Sequence, residues 1–218
     1  MLFSNGARFK TNRPAIDVMF DIEATGKRPG CCILSLGAVV FDARAPFFEG
    51  HQTISLENQF LATISHESGL EVGLEDDKTP GGTMEWWGMQ SEEARKEAFG
   101  GTIHIREALI EFSKWIWKVA PIGTDSQGRQ YPMVNVWSHG EDYDQPILTF
   151  ALELLGIERP WPYNGGRDTR SIFDVSDVSY KGVKHMALED ALDQTLAIRR
   201  AFHELGRDRG FEPVLIAA

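Results

Sequence analysis

The stretch Ile16-Asp17-Val18-Met19-Phe20-Asp21-Ile22-Glu23-Ala24-Thr25-Gly26 constrains this chain more than any other. It opens as an apolar strand and ends in two carboxylates one residue apart, closed by Thr-Gly. Successive side chains on a strand point to opposite faces, so Asp21 and Glu23 share one face. Two anions held together repel, and one pKa must rise unless a cation stands between them. Hard oxygen ligands at a strand end suit Mg²⁺ or Mn²⁺. The alternative is a solvated acidic strand end before a turn, and a motif this short does not decide between the two.

The remaining bulk properties narrow the setting. The 218 residues are expected to form one domain, 1–218, with a sizeable core. No apolar run approaches the roughly 18 residues of a membrane span, and the first residues lack a signal peptide's apolar core. Cys31 and Cys32 are adjacent, which suits neither an ordinary disulfide nor a zinc site. They read as small buried hydrophobes in a cytoplasmic protein without membrane association. A formal net charge of −10 argues against a duplex binder that relies on a broad basic surface. An enzyme that takes one chain end into a small cleft remains open, because bound cations offset acids locally.

Hydrophobic periodicity outlines an α/β chain. After a polar lead-in over 1–14 with Arg8, Lys10 and Arg13, strands are expected at 15–23 and 33–42, with a third at 52–56. Together they make an antiparallel start. Residues 57–82 read as loop with a short helix. Thr83 is then a helix cap ahead of Met84-Glu85-Trp86-Trp87, and Ser91 starts a helix towards Phe99. Ala108, Leu109, Phe112, Trp115, Ile116 and Val119 recur on one helical face. A loop or long hairpin over 121–132 precedes a buried strand at 133–137. A helix over 144–155 follows, with Ile147, Phe150, Ala151 and Leu154 facing inward, and a last helix runs from about 186 to 205.

Two later segments bring further acids to helix starts. Asp144 begins a helix after the strand ending at Trp137, where it is also a favoured N-cap. His185 precedes Asp190 by five positions at the start of the last helix, where an acid also complements the helix dipole. Each feature alone has a structural explanation. Their order is far more specific.

In that order the chain resembles the DEDD 3′–5′ exonucleases of the RNase H-like fold, in the subgroup with His. Asp21-Ile22-Glu23-Ala24-Thr25-Gly26 is similar to the first family motif and Tyr143-Asp144-Gln145-Pro146-Ile147-Leu148 to the second. His185-Met186-Ala187-Leu188-Glu189-Asp190-Ala191 is similar to the third. Thr83 to Trp87, with Gln90 to Ala94, resembles a branch of small bacterial and phage exonucleases that includes exoribonucleases. The resemblance implies an α/β, RNase H-like fold: a mixed central sheet with antiparallel first strands, flanked by helices. It implies that Asp21, Glu23, Asp144 and Asp190 hold two Mg²⁺ or Mn²⁺ ions, with Asp21 bridging them. His185 would be the general base, since an imidazole titrates near neutrality. The other subgroup places Tyr where this chain has Met186, which supports His185. Asp142 is the alternative to Asp144 if the helix begins earlier.

The implied activity is hydrolysis from nucleic-acid 3′ ends to nucleoside monophosphates, with RNA slightly favoured and exodeoxyribonuclease activity as the alternative. The implied partner is a single strand or a 3′ overhang, and related small exonucleases often dimerise. Trp86 and Trp87 are candidates to stack on a terminal base, and core packing competes for one of them. Thr25 and Arg170 are further candidate substrate contacts. Lys27, Lys181 and Lys184 are others, and surface solvation is the default for the charged ones. A haloacid-dehalogenase-like phosphatase would make Asp21 a nucleophile, but Glu23 replaces that motif's second Asp. A non-catalytic nucleic-acid-binding module gains nothing from clustered anions.

Overall fold

Alternation along the first strand divides the core into two layers. The computed structural model describes residues 16–47, 55–140, 142–180 and 185–207. In it β1 (Ile16–Ala24) sends Val18, Phe20 and Ile22 into one layer and Met19 into the other. Asp21 and Glu23 keep the parity of Met19. β2 (Ile33–Phe41) runs antiparallel to β1, and β3 (Gln59–Thr63) antiparallel to β2. A separate hairpin pairs β4 (Ile122–Thr124) with β5 (Gln130–Pro132). β6 (Val134–Ser138) lies parallel to β1, and β7 (Gly166–Asp168) parallel to β6. The mixed sheet therefore has the order β3-β2-β1-β6-β7.

Helices cover both faces. α1 (His66–Glu71) and α2 (Thr83–Gly88) are short, and α3 (Glu92–Phe99) follows with the Ser91 hydroxyl accepting from Ala94 N at 3.1 Å. α4 (Ile105–Val119) and α5 (Asp144–Leu154) bury Leu109, Phe112, Ile147 and Leu148 against the Val18, Phe20 and Ile22 layer. α6 (Thr169–Phe173) leads towards α7 (Ala187–Glu204), whose Ala191, Ile198 and Phe202 pack on Met19, Val39 and Trp137. Gly37, opposite Asp21 on β2, makes that packing close. A β-carbon there would run into the backbone of Leu188, so only glycine lets the start of α7 press onto β2 beside Asp21.

Three expectations change. The third strand is Gln59–Thr63, not 52–56: Leu56–Asn58 form a 3₁₀ turn, and residues 52–54 lie outside the described ones. Thr83 is the first residue of α2 rather than its cap, which falls on Gly82. On α5 the buried face is Ile147, Leu148, Ala151 and Leu152, while Phe150 and Leu154 are 38% and 44% exposed. The lead-in over 1–14 and Lys181 and Lys184 also fall outside the described residues. Among those described, no helix is long and apolar enough to cross a membrane.

Candidate active site

Three elements deliver four carboxylates to one place. β1 ends with Asp21 and Glu23 on the face that α7 covers, and the first turn of α7 brings Asp190 down onto them. A carboxylate oxygen from each of Asp21, Glu23 and Asp190 lies within 4.8 Å of the others. Asp144 opens α5 and is buried; its Oδ1 accepts from Ile22 N at 3.3 Å, which fixes it beside the same strand end. All four line one cleft of about 500 Å³, together with Lys27, Trp86, His139, Arg170, Tyr180 and His185.

The cluster holds protons where isolated acids would not. Burial, followed by the charge of Asp190, raises the Asp21 carboxyl to about 7, against a lowering hydrogen bond from Gln194. Burial, then Asp21, Asp190, Asp144 and Glu97, pushes Glu23 up to about 9. Burial, then Asp21, lifts Asp144 well above the usual carboxylate range. Ionised together, these acids would be buried and mutually repelling, and a cation among them removes that penalty. Every donor in the group is a carboxylate oxygen, so the set fits a hard divalent ion such as Mg²⁺ or Mn²⁺ rather than zinc.

Neighbouring side chains orient the acids. Gln194 Nε2 donates to Asp21 Oδ1 at 2.8 Å, and Tyr180 OH donates to Asp190 Oδ1 at 3.0 Å. Met186 N donates to Asp190 Oδ2 at 3.2 Å. Glu97 on α3 adds a further negative charge, and its own carboxyl is raised by burial and then by Glu189 and Asp190. The motif reading missed Tyr180, Gln194 and Glu97. Gln194 alone carried a usable signal, since it sits four residues after Asp190 and therefore on the same helical face.

His185 also lines the cleft. Its φ of 53° places a non-glycine residue in the left-handed region, which costs about 1–2 kcal/mol. The ring packs edge-on against Trp86, centroids 4.7 Å apart, and more distantly against Trp87 at 6.4 Å. The two tryptophans differ. Trp87 is buried in a satellite core with Leu34, Ala94 and Ala98, and its Nε1 donates to Ala24 O at 2.9 Å. Trp86 is half-buried at the cleft wall. Asp144 is buried whereas the Asp142 side chain is 90% exposed, 3.8 Å from the Arg170 guanidinium. Thr25 does not line the cleft; it is fully buried and its hydroxyl donates to Glu75 O at 3.3 Å. His139 shares a 2.7 Å hydrogen bond with Thr169 while facing the cleft.

A second cluster lies nearby. Cys32, His66 and Asp76 bring one potential ligand atom each within 4.8 Å of one another. Asp76 is already engaged there by His66 Nε2 at 2.7 Å and Lys78 Nζ at 3.5 Å. Burial pushes the Cys32 thiol up to about 12, so it stays protonated. The trio braces the loop behind the first motif: Cys32 N donates to Glu75 O, and the adjacent Asp77 carboxylate accepts from Thr83 N at the start of α2.

Known nucleases share this fold. The nuclease domain of 3'hExo, a DEDDh family member solved bound to rAMP, superposes with a TM-score of 0.53 at 11% identity, covering 90% of this chain and 96% of that one. S. pombe Pop2p in its Mg²⁺- and Mn²⁺-bound form gives 0.50 at 12%, covering 88% and 84%. Cell-death related nuclease 4 (CRN-4) gives 0.51 at 11%, covering 88% of this chain and 64% of that one, so the chain spans under two thirds of that nuclease. At such identities these likenesses show the fold. A search of curated proteins by sequence found no match. Residues 16–202 match the family described as the 3'-5' exoribonuclease Rv2179c-like domain, a span that holds all four acids and His185. The chain belongs to the Rv2179c-like 3'-5' exoribonuclease domain family.

Proposed function

We propose that the acid-lined cleft hydrolyses the terminal phosphodiester at the 3′ end of a single-stranded nucleic acid, with RNA as the preferred substrate. The observation that carries this reading is the convergence of Asp21, Glu23 and Asp190 within 4.8 Å, with Asp144 and His185 lining the same cleft. Asp21, Glu23, Asp144 and Asp190 would hold two divalent cations, Mg²⁺ or Mn²⁺. Cations bound there supply Lewis-acid stabilisation of charge developing on the phosphodiester.

The protein's own groups supply the rest. His185 accepts a proton from the attacking water as the new oxygen–phosphorus bond forms. The bond from phosphorus to the 3′ oxygen breaks, and that oxygen takes up a proton, so a nucleoside 5′-monophosphate leaves. Gln194 and Tyr180 hold Asp21 and Asp190 in place. Trp86 offers a face to the terminal base, and Lys27 and Arg170 counter phosphate charge at the rim. The lean to RNA follows the family description. Matched 5′-labelled RNA and DNA, single-stranded and with 3′ overhangs, test it directly. Faster release of mononucleotides from RNA is expected. Faster digestion of the DNA strand would reverse the substrate assignment, and no release from either would end the reading.

A further inference from the structure

Beside the acid-lined cleft runs a second depression of about 630 Å³, lined by Pro29, Gln145, Phe150, Arg159, Trp161 and Tyr163 among others. Its surface is unusual for this chain. Tyr163 is 94% exposed, and Phe150, on the unburied side of α5, is 38% exposed. Trp161 forms a buried floor, with the Arg159 guanidinium 5.8 Å from its ring centroid. Among the described residues Arg159 forms no salt bridge. Glu153 also lines the depression, so its charge is nearly balanced and its aromatic faces are its main offering. A further depression of about 830 Å³ shares Arg159, Trp161 and Tyr163, which prolongs the trough towards the β4–β5 hairpin.

The two sites share their walls. The turn after β1 puts Lys27 in the cleft and Pro29 in the groove. Gly30, at φ +100°, closes that turn with its backbone near the Phe150 ring, where a β-carbon would stand 3.7 Å away. On α5, Asp144 faces the cleft and the next residue, Gln145, lines the groove. Gln145 is fixed there because its Nε2 donates to Ser138 Oγ at 3.0 Å and to Arg167 O at 2.9 Å. A strand whose 3′-terminal nucleotide fills the cleft continues only in the 5′ direction, and the Lys27–Pro29 turn is a short step from cleft to groove.

We infer that this groove binds the nucleotides 5′ of the scissile bond, taking single-stranded nucleic acid by stacking bases on Tyr163 and Phe150 while Arg159 meets a phosphate. The inference rests on the cleft being the site of the 3′ end. Exposed aromatic faces with one cation suit unpaired bases of any identity, because every base has a π-face. Paired strands do not present those faces, so the groove selects for single strands.

Two measurements on the full chain test this. The first is kcat/KM for 5′-labelled single strands from two to ten nucleotides. The wild type should gain with each added nucleotide and then level off, whereas Tyr163→Ala should lower the decamer-to-dinucleotide ratio on the order of tenfold. Arg159→Gln should lower it less. The second is fluorescence anisotropy of the same labelled strands in Ca²⁺ buffer, which reads binding without requiring turnover. A length-dependent affinity lost in Tyr163→Ala, in a protein that never cuts, would retain the groove and sink the exonuclease reading. Cutting that is independent of length, with the variant binding the decamer as the wild type does, would overturn the groove alone. A Tyr163→Ala change confined to oligomeric state by sedimentation would also overturn it, by making this face a protein interface.

Discussion

Glu23→Gln should make the metal-free protein more stable while removing its activity. Glu23 is 8% exposed, and its carboxyl stands near 9 against an ordinary 4.5, raised by burial and then by four neighbouring acids. A carboxyl raised in the folded state stabilises fully below its ordinary pKa, and that contribution is lost as pH rises towards the folded value. At about pH 8 the unfolded chain has released this proton and the folded one retains it, a difference on the order of 5 kcal/mol. Relaxation and water entry reduce this, and about 2 kcal/mol is a fair working figure. For a domain of this size that is roughly 4–8 °C in Tm. Glutamine keeps the shape and never ionises, so thermal melts in EDTA should show the variant higher by that margin near pH 8. Near pH 5 the two should nearly coincide. Added Mn²⁺ should reverse the order, because the wild type gains about 2.7 kcal/mol at a hundredfold excess over Kd and the variant gains less. A variant that melts at or below the wild type in EDTA near pH 8 would refute the repulsion argument. So would equal Mn²⁺ stabilisation of both.

Three other substitutions separate roles within the cleft. Asp144→Asn should lower turnover by more than about 10²-fold, beyond what losing a mere supporting contact costs, while Asp142→Asn should be mild. Steady-state rates on a labelled oligonucleotide read the difference, and the reverse ranking would place the second acid at Asp142. His185→Ala should lower turnover by roughly 10²–10⁴-fold and leave Mn²⁺ affinity nearly unchanged in calorimetry. Loss of a bound ion in that variant would make His185 a ligand rather than a base.

How legible this was in the sequence differs from residue to residue. The parity of Asp21 and Glu23 follows from strand alternation alone, and β1 and β2 fall within a residue of their expected bounds. Asp144 and Asp190 sit at helix starts, where local chemistry marks them. What the sequence hides is set by tertiary packing. Nothing local says that Gly37 admits α7 against β2, or that Tyr180 reaches Asp190. The α5 face is ambiguous in sequence because Ile147 and Ala151 belong to two overlapping apolar stripes, one with Phe150 and Leu154, the other with Leu148 and Leu152. Only the sheet decides which stripe is covered. The third strand is hard to place from sequence because β3 is an edge strand, half exposed, with weak alternation. Thr25 looked like a substrate contact because it follows the acids, yet the turn directs its hydroxyl to Glu75 O.

The measurement closest to the central claim follows product release from a 5′-labelled single-stranded RNA at rising Mn²⁺, beside the same RNA circularised. A ladder shortening one nucleotide at a time from the 3′ end is expected, abolished by EDTA, with the circle intact. Digestion that survives exhaustive EDTA treatment, or cutting of the circle, would contradict it.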